Sequence, residues 1–321
     1  MQSPIEPEEK ISTETTDDAT IIYSGSWERG NRSLNTAAVL GLLGIGVLYF
    51  NAQTLLALLS VGISYLFGAV EQSAASEEFY DALLANLQRF AQPIRIALVI
   101  SQYVFMLLPA LWLVKRWHTL DVRAYIRLKK SAFAEILLAA IATVAIMPAG
   151  SYIANELSSR LNIPDFLIEI NAVLFRAHSP LEFVWLVFAI AVTPAICEEI
   201  FFRGYVQRTF ERTIGAKSVI VIGVIFGLFH MQPVGLVTLA MLGLLFGYFY
   251  YRSKSLLPSM AAHFANNFIV VLILYKAPQL SGVDLATSQQ FPIAWVVLTL
   301  PVALACLYFF HKITSHNASR E

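Results

Sequence analysis

Charge is scarce in this 321-residue chain: Asp, Glu, Lys and Arg make up 14% of it against 57% hydrophobic residues. A soluble globular chain carries roughly 25% charged residues. That deficit excludes an ordinary soluble fold. The charges present cancel, 22 Lys and Arg against 22 Asp and Glu, so there is no basic excess to hold a nucleic acid. Only two cysteines occur, Cys197 and Cys306, in separate apolar runs, which excludes a disulfide framework. The basic start and short apolar run of a secretory leader are missing as well. Met1 to Arg32 is instead polar and mostly acidic, with Glu6, Glu8, Glu9, Glu14, Asp17 and Asp18, and reads as a loosely held tail. The C-terminal Ser-Arg-Glu carries no lipidation box. Asn31-Arg-Ser and Asn317-Ala-Ser match a glycosylation pattern but fall on the side assigned below to the cytoplasm, so they are taken as chance matches.

What is abundant is apolar sequence. A spanning helix needs roughly 20 mostly apolar residues. Candidates run over Thr36–Leu66, Ile94–Leu113, Ala132–Ile153, Val184 to about Arg208, Ser218–His230, Val234–Tyr251, Leu256–Tyr275 and Phe291–Phe310. The first is long enough to hide a break near Asn51, and the fifth is short. The expectation is an all-α, polytopic membrane protein of about eight transmembrane helices around a polar cavity. A polar tail over 1–35 precedes a helical domain over 36–312, and a second tail covers 313–321. Lys115, Arg116, Arg123, Arg127, Lys129 and Lys130 fill one loop, Arg208, Arg212 and Lys217 another, and Arg252 with Lys254 a third, with Lys312 after the last span. The loop before the second span carries Glu71, Glu77, Glu78 and Asp81. Basic loops therefore alternate, and the positive-inside rule puts both termini in the cytoplasm. The lipid bilayer, in a bacterium the plasma (inner) membrane, is the first partner. Glu78–Phe90 and Leu161–Phe175 mix charged and apolar residues at helical spacing and read as interfacial or connecting helices.

Ionisable residues within spans are costly and usually face a protein interior or a water-filled cavity. Three clusters stand out. In Cys197-Glu198-Glu199-Ile200-Phe201-Phe202-Arg203, Glu199 and Arg203 are four apart and pair along one helix face. Glu198 is turned from Glu199 by about 100° and meets Phe202 at i+4, so one carboxylate is tied up and the other is free for chemistry. Pro194, one turn earlier, removes a backbone hydrogen bond and kinks the helix. His230 closes Phe226-Gly-Leu-Phe-His at the end of the fifth span. His263-Phe-Ala-Asn-Asn267 puts His263 and Asn267 on one face of the seventh span, with Asn266 pointing elsewhere. Each cluster alone also has a structural reading: glutamates at the water interface, an interfacial histidine, amides that join helices. Depth allows them to meet. At 1.5 Å per residue, Glu198 lies roughly 15 Å into its span, His230 about 20 Å and His263 about 10 Å. Gly223 with Gly227, and Gly243 with Gly247, have the small-xxx-small spacing of closely packed membrane helices.

The ordered set Glu198-Glu199-x-x-x-Arg203, Phe226-x-x-x-His230 and His263-x-x-x-Asn267 resembles the motif series of the CPBP family. That family contains the type II CAAX prenyl endopeptidases and bacterial proteins linked to bacteriocin processing and self-immunity. The resemblance covers about Val184 to Tyr275, with no departure at the motif positions. It implies an intramembrane endopeptidase in which Glu198 and His230 activate a water, His263 and Asn267 stabilise the oxyanion, and Glu199 with Arg203 hold the constellation. The chemistry is coherent, because a carboxylate in a dry cavity suits general-base work and fixed donors stabilise a developing oxyanion where water is excluded. The substrate implied is a peptide or membrane-protein segment, lipid-modified in the prenyl branch. No cofactor is required on this scheme. Zinc is the alternative, with Glu198, His230 and His263 as ligands and water in the fourth position, although the HExxH motif is absent. A non-proteolytic membrane scaffold or bacteriocin self-immunity protein on the same fold competes with the protease reading, and the intact residue set disfavours it. A proton-relay transporter would carry internal repeats, and the two halves show none.

Overall fold

The computed structural model describes residues 13–14, 21–66, 79–161, 174–233, 235–276 and 293–318. Seven helices in it are long and apolar enough to cross a membrane. In chain order, α1 is Leu34–Leu66, α2 is Arg89–His118 on a helix that begins at Phe79, α3 is Phe133–Leu161 and α4 is Pro180–Ile214. Then come α5 (Lys217–Phe229), α6 (Leu236–Ser253), α7 (Leu256–Lys276) and α8 (Ile293–Ala318). With 13 residues, α5 is the short fifth segment of the sequence reading and falls below spanning length. The protein is an all-α polytopic membrane protein, and the strand content described is one two-residue antiparallel pair, Thr13 with Ile22 and Glu14 with Ile21.

Lipid is as apolar as leucine, so helices in a membrane gain little by hiding leucines from it and pack through small residues instead. Leu43, Val47, Leu58 and Ile63 of α1, and Val297 and Leu298 of α8, accordingly stay exposed. The α5–α6 hairpin shows such close approach. A Cβ on Gly223 would lie 2.7 Å from the Leu244 backbone nitrogen, and one on Gly243 would lie 2.5 Å from the Gly223 carbonyl oxygen. The two helices touch backbone to backbone there, and Phe201, Phe202, Tyr205, Phe226 and Tyr250 fill the interior beside them.

The basic loops gather at one end of the bundle, where charges are paired. Arg127 forks onto both oxygens of Glu211 at 2.9 and 2.8 Å, and Lys254 reaches the same carboxylate at 2.9 Å. Residues 21–32 depart from the loosely held tail read from composition. Tyr23 and Trp27 are buried, Trp27 packs on Trp117 at 4.9 Å, and Glu28 accepts from Arg212 at 2.5 Å and from His118 Nδ1 at 2.7 Å. Two aromatic rings and one carboxylate anchor the segment, too few residues to leave a periodic signal. The expected tail over 313–321 also begins as helix, because α8 runs on to Ala318, where Arg252 of α6 bonds the His311 carbonyl and Thr314. At the opposite end, Arg95 of α2 binds Glu182 at 2.5 Å and the carbonyls of Leu174 and Arg176 at 2.6 and 2.9 Å. Of the two expected amphipathic stretches, 79–90 is helical and continuous with α2, while Glu78 and residues 162–173 lie outside the described residues.

Candidate active site

The candidate site lies where α4, α5 and α7 meet, and proline sets its first contact. In an α-helix the Ile190 carbonyl would take the N–H of residue 194, and Pro194 has none. A π-helical segment, Val187–Val192, precedes this point. The released Ile190 oxygen accepts from Asn267 Nδ2 of α7 at 2.8 Å. Asn266 does not point elsewhere, as expected from helical rotation alone: its Nδ2 donates to Asn267 Oδ1 at 2.9 Å, because two amide side chains reach across the angle between their Cβ atoms. The Asn267 amide is thus held at both its oxygen and its nitrogen.

Glu199 and Glu198 turn different ways. Glu199 and Arg203 are completely buried and pair at 2.7 Å. The same oxygen, Glu199 Oε1, also accepts from His263 Nδ1 at 2.8 Å. Arg203 donates onward to the Gly243 carbonyl at 3.1 Å and lies 4.5 Å from the Phe226 ring centroid, a cation–π contact. His263 stacks on Phe246 at 5.0 Å. A buried charge tolerates the interior only when paired and hydrogen-bonded, and this pair is both.

Glu198 faces a cavity instead. Its Oε1 accepts from Gln102 Nε2 of α2 at 3.2 Å, and its Oε2 stands 3.9 Å from His230 Nε2. The orientation of His230 follows from the end of α5. Met231 adopts a left-handed φ of 49° and Pro233 follows, so the helix stops. The His230 amide bonds the Gly227 carbonyl at 3.3 Å, leaving the Phe226 carbonyl for the imidazole Nδ1 at 2.7 Å. A carbonyl only accepts, so Nδ1 carries a hydrogen, and Nε2 is turned towards Glu198. Glu198, His230, His263 and Asn267 all line one cavity of about 390 Å³, together with Gln102, Asn266 and the rings of Phe226 and Phe229.

Residues 180–269 match the family model described as type II CAAX prenyl endopeptidase Rce1-like. The match supports the assignment of this segment to the CPBP family. The segment contains all seven motif residues, from Glu198 to Asn267, and covers under a third of the chain. No curated protein and no solved structure matches the chain. Gln102, outside the Rce1-like segment, escaped the sequence reading. It carries the same signal as the others, a polar residue amid an apolar span, but has no ionisable group to mark it. Among the described residues no group of three or more His, Cys, Asp or Glu side chains is placed to hold a metal ion.

Proposed function

We propose that the protein is an intramembrane endopeptidase that hydrolyses a peptide bond with a water held between Glu198 and His230. The observation that carries this is the facing of Glu198 Oε2 and His230 Nε2 at 3.9 Å, too long for a direct hydrogen bond and suited to two acceptors sharing one water. Glu198 takes one proton of that water while His230 Nε2 accepts the other hydrogen and aims the oxygen at the scissile carbonyl. The carbonyl oxygen becomes an oxyanion. Asn267 meets it with the Nδ2 hydrogen not given to Ile190, and His263 meets it through Nε2. Since His263 Nδ1 already donates to Glu199, that second donation requires both ring nitrogens to be protonated, with the Glu199 carboxylate as countercharge. As the C–N bond breaks, Glu198 returns its proton to the leaving amine. Glu199 and Arg203 hold α4 to α6 and α7 and touch no substrate.

The family match supports a protease-like activity in general, and the assignment of these roles is our own. On the same reading the basic end of the bundle faces the cytoplasm, with both termini on that side, and the substrate is a peptide or membrane-protein segment admitted within the bilayer. The test compares membrane-proteome termini in cells carrying the native chain or Glu198→Ala at equal abundance. New peptide ends that depend on Glu198 support proteolysis. Unchanged ends, with Glu198→Ala still rescuing a deletion phenotype, replace the proposal with a scaffold role.

A further inference from the structure

We infer that Gln102 is a positioning residue for Glu198, an amide that supports the carboxyl group in both its charged and its protonated state. This rests on the endopeptidase reading above. Gln102 comes from α2, at the start of a π-helical segment, Gln102–Leu107, and it is buried, as is Glu198. Its Nε2 donates to Glu198 Oε1 at 3.2 Å. That contact fixes which carboxylate oxygen is occupied, and Oε2 is the one left towards His230.

The chemistry explains why an amide suits this place. A general base must be a carboxylate before the attack and a carboxylic acid after it. A cation beside Glu198 would favour only the first state and weaken it as a base. Glu199 has such a cation in Arg203, and it is the glutamate withdrawn from the cavity. An amide carries a donor and an acceptor at its two ends. Gln102 Nε2 serves the carboxylate, and rotation of the amide by half a turn presents Oε1 to the protonated acid. Gln102 Oε1 is buried with no hydrogen-bond partner among the described residues, so the rotation breaks no bond on that side. The proton that Glu198 gains from water and returns to the leaving amine is thereby accommodated by a neutral hydrogen-bonding side chain.

The experiment uses the full chain in lipid nanodiscs, with the best-cleaved member of a library of internally quenched peptides as probe, and compares wild type, Glu198→Gln, Gln102→Met and Gln102→Glu. Met keeps the length of Gln without either hydrogen-bonding end. For Gln102→Met, kcat falls roughly tenfold to a hundredfold, the value of one hydrogen bond to a charged group, with KM and Tm held. Gln102→Glu falls at least as far. Infrared spectra supply a readout that needs no turnover: the carboxyl band missing in Glu198→Gln shifts in Gln102→Met. A Gln102→Met enzyme with wild-type kcat, or an unshifted Glu198 band, overturns the role of Gln102. Turnover at the wild-type rate in Glu198→Gln overturns the endopeptidase reading instead, and with it the role of Gln102 in catalysis.

Discussion

His230 presents Nε2 to Glu198 Oε2 across 3.9 Å because its other ring nitrogen is spent on the Phe226 carbonyl. The pair is therefore a consequence of where α5 ends. A longer α5 would have consumed that carbonyl in its own ladder and left the imidazole free to rotate.

Glu198→Gln keeps size and removes the proposed base. Turnover is expected to fall by roughly a hundredfold to ten-thousandfold, the usual contribution of general acid–base catalysis. His230→Ala is expected to fall in the same direction, and the double variant to be no worse than the worse single one, as for groups that act as a unit. Steady-state kinetics with thermal unfolding as a control checks this. Independent, multiplying losses would show that the two residues do not share one water.

Glu199 sits one residue away, and its loss should look different. Glu199→Gln leaves the Arg203 guanidinium, completely buried, without its counterion. Removing one partner of a buried pair costs about 3–5 kcal/mol, so Tm and resistance to detergent should drop sharply. Glu198→Gln should move neither. A stable Glu199→Gln protein would mean that Gly243 and the rings of Phe226 and Phe246 suffice to hold the cation.

The pairing of Glu199 with Arg203 was legible in the sequence from helical spacing, since Arg203 stands at i+4 from Glu199 and Phe202 at i+4 from Glu198. The helices were legible from apolar length, and His230 and His263 from being ionisable within it. What the sequence hid were contacts between segments far apart. Gln102 is 96 residues from Glu198, and no periodicity connects them. Glu28 and Arg212 are 184 apart, and a carboxylate in an acidic, polar stretch gives no sign of being buried. Asn266 was misread because rotation about the helix axis fixes Cβ directions and says nothing of how far an amide reaches.

Glu28 provides a pH test at the basic end of the bundle. Burial by itself raises its pKa, but the hydrogen bonds from His118 and Arg212 outweigh this and hold it below the ordinary carboxylate value. A carboxylate depressed in the folded state adds stability above its unfolded pKa, about 4.3 for Glu, and loses that contribution as pH falls through the folded value. The Tm gap between wild type and Glu28→Gln should therefore be widest at neutral pH and close as the pH drops below about 4. A gap that stays constant with pH would mean that the packing of Tyr23 and Trp27, and not the charge, anchors residues 21–32.

Pro194→Ala separates stability from function. Proline inside a helix costs up to about 3 kcal/mol, so the alanine variant should be the more stable protein, with a raised Tm. Yet the new N–H of residue 194 competes for the Ile190 carbonyl, the oxygen that now holds Asn267 Nδ2 at 2.8 Å. Displaced from it, the Asn267 amide loses its proposed aim at the oxyanion. Loss of one oxyanion donor costs about a hundredfold to a thousandfold in kcat, which is the upper limit here. Asn267→Ala should lower kcat as well, and adding Pro194→Ala to it should do no further harm, because both act on the same donor. Full activity in Pro194→Ala would show that Asn267 is held by Asn266 alone and that the proline shapes the helix without serving the site.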